Sequence, residues 1–267
     1  MAIICYKHNI LFIMVPGTAS TTVGEVLIRD FGGKYFPKKD ILVKHITIEQ
    51  IVKGAYLTEE ELHNYLKFTI VRNPFDYWVT DYVRLTGPWM QAHLENPDSF
   101  INRLGEKNNK IWRSRIQKAQ ILGFEKWVRQ TKGIDDRMKK TVKLHIKNFI
   151  KFFLGRPTST IEPVYPMLKG IDVVLQYERI EDDFNSLLQK IGLIDGEKKI
   201  KLAYMKQTPE KRNYQSYYST SLRTIIESVY SKELALFGYT FDGIDAKSRV
   251  ASHQHNFPVL LNEFPRV

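Results

Sequence analysis

Apolar residues along this chain gather in short runs, and each run leads through turn-forming residues into an amphipathic stretch. Leu11 to Val15 enters Pro16–Thr22 and then a helical pattern, and Leu66 to Val71 enters Arg72-Asn73-Pro74 and another. Val173 to Leu175 ends in Gln176-Tyr177-Glu178. It precedes Ile180 to Ile191, where Ile180, Phe184, Leu187, Leu188 and Ile191 recur on one helical face. Strand, turn and helix in this order predict an α/β fold, a parallel sheet flanked by helices. Between about 88 and 165 the pattern turns helical and basic, without a strand signal, and reads as a helical insertion. Tyr214 to Phe237 is again helical, with Tyr217, Leu222, Ile225, Ile226, Val229, Leu234 and Phe237 as expected buried positions. The organisation implied is one domain over residues 1–243 carrying the insertion, followed by a tail, 244–267, ordered at most in part.

Ile10 to Val15 is too short for a membrane span and lacks a signal-cleavage pattern, so it is expected to be the first buried strand of a soluble, cytoplasmic protein. A 43% hydrophobic content is enough for a sizeable core. The formal charge of +11 points to an anionic partner: nucleic acid, acidic glycan, anionic lipid or a polyphosphorylated cofactor. Cys5, the single cysteine, excludes an internal disulfide framework and fits a reducing compartment. No helix-turn-helix, RRM or zinc-finger pattern supports a nucleic-acid partner.

The segment Gly17, Thr18, Ala19, Ser20, Thr21, Thr22 lies where a strand hands over to a helix. Small residues there let backbone N–H groups wrap an oxyanion at the positive end of the helix, and the hydroxyls are expected to add donors. The competing reading is that Ser20 or Thr21 caps the helix. No lysine stands at the Walker A position, which disfavours an ATPase or kinase of that type. In "FTIVRNPFDYWVTDYVRL", Asn73 and Pro74 mark a helix start, placing Arg72 at a strand tip. Phe75, Val79, Tyr82 and Val83 form the expected buried stripe, with Asp76 and Thr80 one turn apart on another face.

With these motifs the chain resembles the PAPS-dependent sulfotransferases, in particular the carbohydrate-type branch, which carries V-R-N-P and a Ser or Thr eight residues after the arginine. The late stretches "VVLQYERIEDDFNSLLQKIGL" and "YYSTSLRTIIESVYSKELALFGYTF" extend the resemblance over most of the chain. It implies a P-loop-like sheet. It also implies that the first loop holds the 5′-phosphosulfate of 3′-phosphoadenosine 5′-phosphosulfate and that Arg72 with Thr80 holds the 3′-phosphate. Lys211 and Arg212, in "KQTPEKRNYQSYY", lie where the family closes over the nucleotide; the alternative is a solvated charged turn. The family's loop commonly has Lys or Arg directly after the proline, where this chain has Gly17; either another cation reaches in, with Lys7, Lys44 and Lys211 as candidates, or hydroxyls and backbone N–H groups stabilise the leaving group. Tyr77 also stands where the family tends to be basic.

Sulfuryl transfer needs a group to take the acceptor's proton and positive potential around the transferring SO₃, without requiring a metal. His45, after the apolar run Ile41 to Val43, is the expected base; the alternative is that it caps a helix beginning near Thr47. The acceptor is a glycan, lipid or small molecule. Lys139, Lys143, Lys147 and Lys151 form either a stripe for an acidic polysaccharide or an anionic membrane surface, or a solvated helix face, and Trp89, Trp112 and Trp127 either stack on sugars or pack in a core. Loss of catalysis with nucleotide binding retained is the alternative that Gly17 raises.

Overall fold

The computed structural model describes residues 2–37, 45–99, 101–102, 105–131, 134, 168–203, 213–245 and 259–260. Its elements run β1 (Ala2–Cys5), β2 (Ile10–Ile13), α1 (Ser20–Phe31), β3 (Lys34–Phe36), α2 (Ile48–Lys53), α3 (Glu59–His63), β4 (Leu66–Val71), α4 (Pro74–Thr86), α5 (Pro88–Glu95) and α6 (Glu106–Arg129). They continue with β5 (Val173–Gln176), α7 (Ile180–Lys190), α8 (Thr220–Val229), α9 (Ser231–Phe237), β6 (Tyr239–Thr240), β7 (Gly243–Ile244) and β8 (Val259–Leu260). The chain divides into two compact units, one of residues 1–73, 165–207 and 251–267, the other of 74–164 and 208–250.

The first unit is built on a sheet in the order β3-β1-β2-β4-β5-β8. The strands β2, β4, β5 and β8 are mutually parallel neighbours. A wholly parallel sheet, as the sequence pattern predicts, is not what forms: β1 pairs antiparallel with both β2 and β3. Nor is Ile10–Val15 the first strand, since Ala2–Cys5 precedes it. Only a tight turn joins the two, Tyr6–His8 with Asn9 in the left-handed region at φ 51. A parallel connection needs a dozen residues or more, so so short a link can close only a hairpin. As the pattern predicts, β4 runs from Leu66 to Val71 and α7 buries Ile180, Phe184, Leu187 and Leu188, with Ile191 half-buried just past its end. The expected helical segment 214–237 is a 3-10 turn followed by α8 and α9, which bury Leu222, Ile226, Val229 and Phe237 but leave Tyr217, Ile225 and Leu234 half-buried.

Every residue of β1, β2 and β5 is buried, as in strands covered on both faces. One face packs Ile3, Phe12, Met14, Phe68 and Leu175 against Val23 and Leu27 of α1 and Phe184 and Leu188 of α7. Phe12 and Phe68 stack at 4.6 Å across the β2–β4 pair. Val259–Leu260, within the tail, adds the edge strand beside β5. Capping is local and legible: Thr47 and Gln50 form a capping box on α2, and Thr58 and Glu61 form one on α3.

The second unit gathers around α4, against which α5, α6, α8 and the 3-10 turn Tyr214–Tyr217 pack. Its described elements between 88 and 131 are helices, with a break at Gly123 (φ 71) inside α6. Trp78 meets Trp127 at 5.6 Å, and Tyr82 meets Phe124 at 5.4 Å. Asp81, buried, is held by Arg84 at 2.8 Å and by Arg115. Because α4 is packed by so many neighbours, its burial is wider than the predicted stripe. Asp76, Trp78, Thr80 and Asp81 are buried along with Phe75 and Val79, while Tyr82 and Val83 are half-buried. Among the described residues, no helix is long and apolar enough to cross a membrane.

Candidate functional site

In the first unit the carboxyl ends of β2, β4 and β5 lie side by side, the edge at which open α/β sheets bind ligands. After β2 the chain passes through Met14 and Val15, both buried, turns at residues 16–19, and enters α1 at Ser20. The residue before the helix is Ala19, left-handed at φ 56 and making no side-chain cap. Gly17 is left-handed as well, at φ 73. Left-handed residues alternating with right-handed ones turn successive N–H groups to the same side, forming a nest for an anion.

The hydroxyls do something other than the sequence suggests. Thr18 Oγ1 and Ser20 Oγ each donate to the Val15 carbonyl at 2.9 Å. Ser20 therefore does not cap α1, and neither of these two hydroxyl protons is offered to a ligand. For these two residues a buried carbonyl, Val15, takes the hydroxyl proton. What the loop does present is backbone. The Thr22 and Val23 N–H groups go to the Ala19 carbonyl. Those of Gly17, Thr18, Ala19, Ser20 and Thr21 have no hydrogen-bond partner among the described residues. They stand at the positive end of the 12-residue helix α1. Thr21, half-buried, keeps a hydroxyl with no partner among the described residues.

The neighbouring strand supplies the charge. Thr69 Oγ1 of β4 donates to the Ile13 carbonyl of β2 at 2.7 Å, locking the two strand ends together. Three residues on, Arg72 is 5% exposed, and its Nη1 donates to the Gly17 carbonyl at 2.8 Å. The guanidinium lies 3.9 Å above the centre of the Tyr177 ring. Beside it, the Asn73 N–H donates to Glu178 Oε1 at 2.8 Å. Tyr177 and Glu178 hold the β4 tip from the β5 side and were not foreseen as site residues. Their signal was the Tyr-Glu pair at the end of the apolar run of β5, a strand's carboxyl end like the other two.

His45 approaches the same edge. Its Nδ1 lies 2.8 Å from the Met14 carbonyl. A carbonyl only accepts, so Nδ1 carries the proton and Nε2 is the basic nitrogen. The capping alternative for His45 fails, because Thr47 itself caps α2. Lys7 sits in the turn before β2, at the end of that strand away from the loop, and cannot serve as the loop's cation. Ile41 to Lys44, Lys211, Arg212 and the lysine stripe 139–151 lie outside the described residues.

In the second unit Thr80 lies on α4, 8% exposed, with Oγ1 buried and without a partner among the described residues. Trp127 is a core residue, whereas Trp89 is exposed and half-buried Trp112 packs beneath Arg115. Among the described residues, no group of His, Cys, Asp and Glu is arranged to hold a metal ion.

A family model described as "Sulfotransferase family" matches residues 1–240. Comparison with curated proteins and with solved structures gives no match.

Proposed function

Since the chain belongs to the sulfotransferase family, we propose that it moves a sulfuryl group from 3′-phosphoadenosine 5′-phosphosulfate to a hydroxyl or amine of a glycan, lipid or small metabolite. The observation that carries this reading is the run of N–H groups from Gly17 to Thr21, unpartnered among the described residues at the start of α1. Such a row suits an anion that brings its own oxygens to every donor, which a phosphosulfate does. When bound, the donor contributes the sulfuryl group and a phosphate leaving group.

The chain's own residues do the rest. Backbone dipoles at residues 17–21 stabilise charge that grows on the phosphate side, in fixed orientation and without reorganisation. His45, with Nδ1–H anchored on Met14, takes the acceptor's proton at Nε2. Thr80 is the hydroxyl that the family resemblance gives to the 3′-phosphate, and its buried oxygen, without a partner among the described residues, suits that role. Lys211 and Arg212 are further cations the resemblance places near the nucleotide, and Lys44, next to His45 in sequence, is a further candidate cation. A glycan acceptor of the carbohydrate-type branch fits the basic charge of the chain, and the buried single thiol fits a cytoplasmic setting.

The test is a thermal-shift comparison of adenosine 3′,5′-bisphosphate with ATP and NAD, followed by transfer of labelled sulfate to a panel of acceptors. Preferential stabilisation by the bisphosphate and transfer to one acceptor class are expected; preference for ATP overturns the donor assignment. His45→Ala should abolish transfer and leave bisphosphate affinity nearly intact. A second reading, a binder without turnover, rests on Gly17 and predicts bisphosphate binding with no sulfate transfer to any acceptor or to water.

A further inference from the structure

We infer that Tyr177 is the positioning residue of Arg72, its ring setting the plane of the guanidinium; this rests on the donor reading above, with Arg72 at the 3′-phosphate as the resemblance gives it. Strand register brings the two residues together. Val71 of β4 pairs with Gln176 of β5 in parallel, so the residues that follow, Arg72 and Tyr177, leave the sheet side by side. The Tyr177 ring is half-buried and packs against the core. The turn that carries it, Tyr177–Arg179, is tied down on both sides. Glu178 Oε1 accepts the Asn73 N–H at 2.8 Å, and Asp183 of α7 accepts the Gln176 N–H at 2.9 Å. The ring is therefore a fixed surface.

Arginine is long and flexible, and its planar fork grips a phosphate well only when it already lies in the right plane. Two contacts remove that freedom from Arg72. The Gly17 carbonyl accepts from Nη1 at 2.8 Å and pins one corner of the fork. The Tyr177 ring centre lies 3.9 Å from the guanidinium carbon and fixes the plane about that corner. Either contact alone leaves a hinge. Together they leave one orientation, and a fork held ready in this way loses little entropy when a phosphate arrives. The negative face of the ring also offsets part of the cost of burying the charge, since Arg72 is buried. All of this is carried by the ring face, and the Tyr177 hydroxyl has no part in it.

The experiment is calorimetric titration of wild type, Tyr177→Leu and Tyr177→Phe with two probes, adenosine 3′,5′-bisphosphate and adenosine 5′-monophosphate. Tyr177→Leu frees the fork about its Gly17 bond and should weaken the bisphosphate about 3- to 10-fold. Affinity for the monophosphate, which offers the fork no 3′-phosphate, should stay within about two-fold, a pattern that general misfolding does not produce. Tyr177→Phe keeps the ring face and should match wild type with both probes. In an Arg72→Ala background, Tyr177→Leu should add no further loss, because no fork remains to be positioned. If the leucine form does not fold, Tyr177→Met, unbranched and without a ring, takes its place. Equal losses for both probes, a selective loss in Tyr177→Phe, or an additive loss in the double variant overturns the inference and leaves the donor reading standing. A wild-type protein that binds neither probe overturns both.

Discussion

Removing the two hydroxyls that hold the Val15 carbonyl should cost more together than the sum of their separate effects. Thr18 and Ser20 each donate to this oxygen at 2.9 Å, and Val15 is 2% exposed, so water cannot replace them. In Thr18→Val, a change of nearly equal volume, the carbonyl keeps Ser20 and the loss is one ordinary hydrogen bond, about 1 kcal/mol. Ser20→Ala should cost a similar amount, less a few tenths for the better helix former. In the double variant the carbonyl is buried with no donor, which adds a desolvation penalty of about 1–3 kcal/mol, for a total of about 3–5 kcal/mol. The four tryptophans, at 78, 89, 112 and 127, all belong to the second unit. Urea unfolding should therefore be followed by far-UV circular dichroism rather than by tryptophan fluorescence. Affinity for adenosine 3′,5′-bisphosphate should change little in Thr18→Val, because that hydroxyl faces Val15 and not the nest. Strict additivity of the stability losses would refute the shared-acceptor reasoning. So would a Thr18→Val protein of unchanged stability that had lost nucleotide affinity.

The remaining predictions concern strain, a thiol and a buried carboxyl. Ala19 is left-handed at φ 56, so Ala19→Gly should stabilise by up to about 1 kcal/mol, while Gly17→Ala at φ 73 should destabilise by about 1–2 kcal/mol in urea titration; opposite signs would contradict the loop conformation. Burial pushes the Cys5 thiol up to about 11, so a thiol reagent at mildly alkaline pH should leave the native protein unlabelled and react once it is unfolded. Rapid labelling of the native form would show that β1 is accessible. Asp183 accepts the Gln176 N–H at 2.9 Å, but burial raises its carboxyl above the ordinary range, outweighing that bond and Arg179. A raised folded-state value means stability is present at acid pH and lost as pH climbs through it. The melting temperature of Asp183→Asn relative to wild type should therefore rise between about pH 4 and pH 7, and a flat or falling difference would refute this.

By itself the sequence determined what neighbouring residues decide among themselves. The strands at Leu66–Val71 and Val173–Gln176, the start of α4 at Pro74 and the buried face of α7 follow from short-range periodicity and cap chemistry, which operate within a few residues. The location of the loop after β2 is legible for the same reason, since small residues between an apolar run and an amphipathic helix mark a strand-to-helix turn. How the loop's hydroxyls are used follows from contacts made on folding. Whether Thr18 offers its proton to a ligand or to Val15 depends on a left-handed turn that composition does not specify. The Arg72–Gly17 bond joins positions 55 apart and the His45–Met14 bond positions 31 apart. The Arg72 contact exists only after β4 has paired beside β2, and the His45 contact only after the residues before α2 have come to the end of β2, so no local preference sets either.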